Sequence, residues 1–134
     1  MMFSVSALQN TVRIYDIIYP PPTHLPSSVL ATISIGKEYT VYKYKDSHDE
    51  WFEKISKQFD PRWYHLFSIH EDCPGIDHIG IVHFLSGLFS DAGIPILYIN
   101  SYSSNLVLIS DEYVKDAIHL MNSHPRILFD SNIE

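Results

Sequence analysis

The most constraining feature of the sequence is a single apolar stripe in its second half. Ile81, Phe84, Leu85, Leu88, Phe89 and Ala92 recur at i, i+3, i+4, i+7, i+8 and i+11. That spacing places all six side chains on one face of a three-turn helix, which must bury that face against another layer. Asp77 stands where an N-cap is wanted, and Gly93 where a left-handed residue closes a helix. Ile94 to Ile99 follows as a near-continuous apolar run, as expected of a strand covered on one face and paired on both edges. A polar turn over Ser101 to Ser104 leads to a returning strand, Leu106 to Ile109. Ser110 and Asp111 then read as the cap of a last helix with Val114, Ala117, Ile118 and Met121 on one face, and Ile127 to Phe129 as a short final strand.

The first half carries a looser version of the same order. Residues 1–10 show no pattern and are expected to form a loose start. Thr11 to Tyr19 is β-branched and aromatic, which predicts a strand, and Pro20 to Pro22 end it. Thr23 to Leu30 reads as a short helix or a turn. Ala31 to Ile35 and Tyr39 to Tyr44 read as a hairpin around Gly36-Lys37-Glu38. Ser47-His48-Asp49-Glu50 has the form of a capping box, and Trp51, Phe52, Ile55 and Phe59 continue it at helical spacing up to Asp60-Pro61. Trp63 to Ile69 is a further strand candidate. Each half thus runs strand, connection, hairpin, acidic-capped helix. The implied fold is α+β, with two tandem βαββαβ modules of ferredoxin-like type and antiparallel sheets, over residues 11–60 and 61–130.

Charge and composition narrow the function. The formal net charge is −7, with nine scattered basic residues, which argues against a nucleic-acid partner. No run approaches the roughly 20 apolar residues that span a bilayer, so no membrane role is expected. The single cysteine, Cys73, forbids an internal disulfide. A soluble, cytoplasmic protein is the simplest expectation. No GxSxG, P-loop or GxGxxG motif is present. His70, Asp72 and Cys73 are the one local nucleophile-and-base cluster, and neighbours on an extended segment alternate faces. His70, Cys73, His78 and His83 lack the spacing of a zinc finger or ribbon. Neither catalysis nor a metal or cofactor is expected.

The segment "GIDHIGIVHFLSGLFSDAGIPILYINSYSSNLVLISDEYVKDAI" resembles the ACT module of the CASTOR-like proteins, which include cytosolic arginine sensors of the TOR pathway. The resemblance rests on Gly80-Ile81-Val82, on Phe89 to Pro95, on Ile99 to Tyr102 and on Leu106-Val107, and it covers roughly residues 63–122. It implies a non-enzymatic regulatory sensor binding a small amino-acid-like ligand between modules or across a homodimer. Asp77, Ile79, Gly80, Ile81, Pro95, Ile96 and Asn105 would form the ligand site. Pro95 stands where the family has serine, and Asn105 where the arginine sensor has a ligand-facing aspartate. The loss of that charge points away from a guanidinium ligand. The alternative is a protein-interaction module that has lost its ligand and meets a signalling partner, in nutrient (TOR-pathway) signalling.

Overall fold

A computed structural model describes residues 3–20, 29–71, 78–102 and 104–130. The chain divides into two compact units, residues 1–9 with 65–134 and residues 10–64. The expected short helix or turn after the triple proline falls largely on residues 21–28, outside the described residues.

The first strand, β1 (Phe3–Ile17), contributes residues to both units. From Phe3 onward the unpatterned start is therefore strand rather than loose chain. Phe3 and Val5 alternate with Ser4 and Ser6, and both apolar side chains are fully buried. The Phe3 amide donates to the Arg126 carbonyl (2.8 Å), and Phe3 to Ser6 run parallel to β8 (Ile127–Asp130). This pairing joins residues more than 120 positions apart, so no local pattern announces it.

The larger unit continues with β5 (Tyr64–Glu71), α2 (His78–Asp91), β6 (Leu97–Asn100), β7 (Asn105–Ser110), α3 (Val114–Ser123) and β8. From β5 onward the order is βαββαβ, with β7 between β5 and β6 in the sheet and β1 beside β5. β6 and β7 pair antiparallel, Leu97 opposite Leu108 and Asn100 opposite Asn105. The predicted polar turn closes that hairpin, Ser101 donating to the Ser104 carbonyl (2.9 Å). The stripe of α2 meets the sheet as expected: Ile81, Leu85 and Phe89 are buried with Phe67, Ile69, Val107, Ile109, Ala117 and Met121. Phe3 stacks on Phe84 with ring centroids 4.6 Å apart and planes 12° from parallel. The last helix starts later than its expected cap. Tyr113 occupies the N-cap without a side-chain bond, and Asp111 instead meets His65 Nε2.

The smaller unit has the strand order β2-β3-β1-β4. β2 (Val29–Ile35) and β3 (Glu38–Tyr44) form the predicted hairpin. Gly36, with φ of 59°, opens its two-residue turn, the place where a type II′ turn takes glycine. β3 and β4 (Ser56–Phe59) both pair antiparallel with the C-terminal part of β1. The expected helix is cut to six residues, α1 (Asp49–Lys54). Phe59 follows the helical spacing but is placed by strand pairing, opposite Tyr15. The capping box does not form either. His48 is the N-cap without a side-chain bond, and Asp46 Oδ1 accepts the His48 amide (2.8 Å). The core of this unit is small: Tyr15, Ile17, Val41 and Phe52, with Val29, Tyr39, Ile55 and Phe59 against it. Among the described residues the helix-bearing βαββαβ order is complete from β5 to β8. Among the described residues 10–64, α1 is the one helix.

Lys43 is buried within this small core. Its ammonium is fully enclosed and donates to Asp46 Oδ1, to Asp49 Oδ1 (2.5 Å) and to the Tyr44 carbonyl (2.8 Å), matching its three N–H groups. Asp60, at the end of β4, receives both guanidinium arms of Arg62 (2.9 Å each) and the Tyr64 hydroxyl (2.6 Å). The hydrogen bond from Arg62, helped by that from Tyr64, lowers the Asp60 pKa to about 2.

Candidate functional site

The end of α2 builds a hollow that takes in two of the expected ligand residues. Asp91 and Ala92 close the helix, and Gly93 takes a φ of 72°, a conformation favoured by glycine. The Ile94 amide returns to the Phe89 carbonyl (2.9 Å) and the Gly93 amide to the Ser90 carbonyl (3.0 Å). This pair of bonds is a Schellman motif, and Ile94 packs into the same core as Phe89. The turn leaves Pro95 exposed and Ile96 half-buried against the core on the way to β6. An open hollow of about 350 Å³ results, lined by Ser86, Ser90, Gly93, Ile94, Pro95 and Ile96.

The lining combines two kinds of group. Ser86 and Ser90 lie one helical turn apart, so their hydroxyls share a face of α2. Ile94, Pro95 and Ile96 supply apolar surface, and Pro95 brings no N–H. No titratable side chain lines the hollow. Its described lining thus offers two hydroxyls and apolar surface.

Six of the seven expected ligand residues are described, and they are distributed over three places. Pro95 and Ile96 border the hollow. Gly80 and Ile79 lie in the first turn of α2, and the side chain of Ile79 lies outside the described residues. Ten residues separate Gly80 from Ser90, about 15 Å along the helix. Ile81 turns fully into the core. Asn105 begins β7 opposite Asn100, three residues beyond Leu97, or about 10 Å along the hairpin. Asp77 lies outside the described residues. Within one chain the structure thus brings Pro95 and Ile96 together and leaves Gly80 and Asn105 apart from them. Ser86 and Ser90 were not singled out from the sequence. Their signal was present: two serines at i, i+4 on the side of α2 away from its apolar stripe.

Of the histidine-rich stretch, the side chains of His70 and His83 are described. His70 ends β5 with its Nε2 3.1 Å from Ser68 Oγ, and His83 is exposed on α2. Cys73, Asp72 and the side chain of His78 lie outside the described residues. Among the described residues no three His, Cys, Asp or Glu side chains are placed to hold a metal ion. None of the described helices is long and apolar enough to cross a membrane.

Residues 63–123 match the ACT domain. The match begins beside β5 and ends with α3, so it takes in the whole of α2, the Schellman turn and the β6–β7 hairpin. ACT domains are commonly regulatory ligand-binding modules rather than catalysts. No curated protein matches the chain. Among solved structures, a protein of unknown function from Vibrio cholerae, described as a possible transport protein, superposes with a TM-score of 0.71 at 11% identity, over 88% of this chain and 86% of its own. A protein from Agobacterium tumefaciens superposes with a TM-score of 0.66 at 15% identity, over 100% of this chain and 98% of its own. At these identities the likeness concerns the fold.

Proposed function

We propose that this protein is a non-enzymatic regulator of ACT type that binds a small amino-acid-like ligand at a module or dimer interface. The observation that carries the reading is the hollow beside Pro95 and Ile96, which falls inside the ACT-matching segment and offers hydroxyls and apolar surface without a titratable group. The distance of Gly80 and Asn105 from that hollow favours a site completed by a second copy of the chain, so a homodimer is part of the proposal. Cytoplasmic sensing, in the manner of the CASTOR-like proteins, is the setting that fits.

Thermal unfolding in the presence of free amino acids tests this. A bound ligand at 100 times its Kd should stabilise the protein by about 2.7 kcal/mol. Flat unfolding temperatures across all amino acids at millimolar concentration would sink the ligand reading. The second reading, an interaction module for a signalling protein of the nutrient (TOR) pathway, is favoured by Pro95, which brings neither an N–H nor a hydroxyl to the hollow. In that case a purified partner binds equally well with and without amino acids.

A further inference from the structure

The smaller unit holds a second, independent site. We propose that Arg13 and Lys45, gathered on the ring of Trp63, bind a phosphate-class oxyanion.

The strand register brings the two cations together. Arg13 of β1 stands opposite Lys43 of β3. Lys45, one residue beyond β3, donates its amide to the Thr11 carbonyl (3.1 Å). Arg13 and Lys45 are therefore diagonal neighbours on one face of the pair, their backbones about 7–8 Å apart. Trp63 receives both. The Arg13 guanidinium carbon lies 4.2 Å from the ring centroid and the Lys45 ammonium 5.3 Å. The Phe59 ring adds a second aromatic surface 5.4 Å from Arg13.

These two cations share one ring, and no described carboxylate pairs with either. The chain is acidic, with 16 Asp and Glu against nine Lys and Arg. Elsewhere in the same unit, Lys43 meets Asp46 and Asp49, Arg62 meets Asp60, and Lys54 meets Glu50. Arg13 and Lys45 form no ion pair with any described carboxylate. Cation–π attraction holds them on Trp63 but leaves their charge uncompensated, and two like charges on one ring repel. Arg13 also has unspent hydrogen-bonding capacity. One Nη2 proton goes to the Pro61 carbonyl (3.0 Å), while its buried Nε has no partner. The Tyr15 hydroxyl, two residues along the same face, is buried beside this guanidinium, whose hydrogen bond and charge partly offset the burial that raises the Tyr15 pKa. A phosphate group at neutral pH carries a charge of about −1.5 to −2 and three acceptor oxygens. It neutralises both cations at once and accepts from the free Nη protons and the Lys45 ammonium, the geometry in which arginine binds oxyanions best.

Trp63 reports on the site directly. The chain has two tryptophans, and Trp51→Phe leaves Trp63 as the sole emitter. Inorganic phosphate is titrated into this variant at fixed ionic strength, with chloride and acetate as matched arms. The expected result is a saturable change in Trp63 emission for phosphate alone. Lys45→Gln should weaken the apparent affinity roughly tenfold, the loss of one charge-assisted contact. Lys45 is exposed, so this variant keeps the test informative even if Arg13→Gln fails to fold. A non-saturable response, an equal response to acetate or chloride, or an unchanged affinity in Lys45→Gln would each overturn the proposal.

Discussion

Lys43→Met is the sharpest test of what holds the smaller unit together. The substitution keeps most of the side chain's length and apolar stem but removes the ammonium. In the native fold that ammonium is fully enclosed, while the Asp46 and Asp49 side chains keep 27% and 20% of their surface open. Removing one partner of a buried pair costs about 3–5 kcal/mol, because the other charge is left buried and unpaired. Here the two carboxylates keep partial access to water and their backbone amide partners at His48 and Asp46, which lowers the expectation to about 2–4 kcal/mol. Against a typical total stability of about 5–15 kcal/mol, that is a large fraction. Asp49→Asn should cost less, about 1–2 kcal/mol, since Lys43 keeps Asp46 and the Tyr44 carbonyl. In the double variant the second change removes one of the orphaned charges, so the two costs should fall short of adding by at least about 1 kcal/mol. Urea unfolding followed by far-UV circular dichroism measures all three. A loss below about 1 kcal/mol for Lys43→Met, or strict additivity, would show that the network is solvated in solution and does not carry the core.

Two further expectations bear on other parts of the fold. Phe3→Ala removes a fully buried ring stacked on Phe84 and should cost about 3–5 kcal/mol in the same unfolding assay, whereas a loose N-terminus would give no change. Asp60 has its pKa lowered from 3.8 to about 2 by Arg62 and Tyr64, so its contribution to stability is fully present above about pH 4 and is lost as the pH falls toward 2. The full linkage would be worth about 2 kcal/mol; with the side chain 21% open, about 1 kcal/mol is expected. Asp60→Asn should flatten that part of the stability–pH curve, and an unchanged curve would disprove the linkage.

The ways in which sequence and structure part company share a cause. Phe59 lies at helical spacing from Trp51, Phe52 and Ile55, yet it serves as a strand residue because β1 offers it a partner at Tyr15. Helical spacing shows which side chains could share a face; it does not say whether a neighbouring strand will claim them first. Asp111 looks like a cap and instead meets His65, 46 residues earlier. Of the expected ligand residues, Ile81 lies on the core side of α2, which its own place in the apolar stripe already implied.

By itself the sequence determined the local elements of this protein: the amphipathic α2, its glycine-closed end, the two hairpins, and the strands β5 and β8. These depend on side-chain period, backbone freedom at Gly36 and Gly93, and short turns, all of which are set within a few residues. Only the tertiary structure decided that residues 3–6 are a strand against β8, that α1 stops at Lys54, and that Lys43 is enclosed by two aspartates. It alone brought Arg13, Lys45 and Trp63 to one place and joined Ser86 and Ser90 to Pro95 and Ile96. Each of these depends on strand register or helix packing between segments remote in the chain. Such pairings are selected by the burial they achieve together, and no single segment encodes that burial.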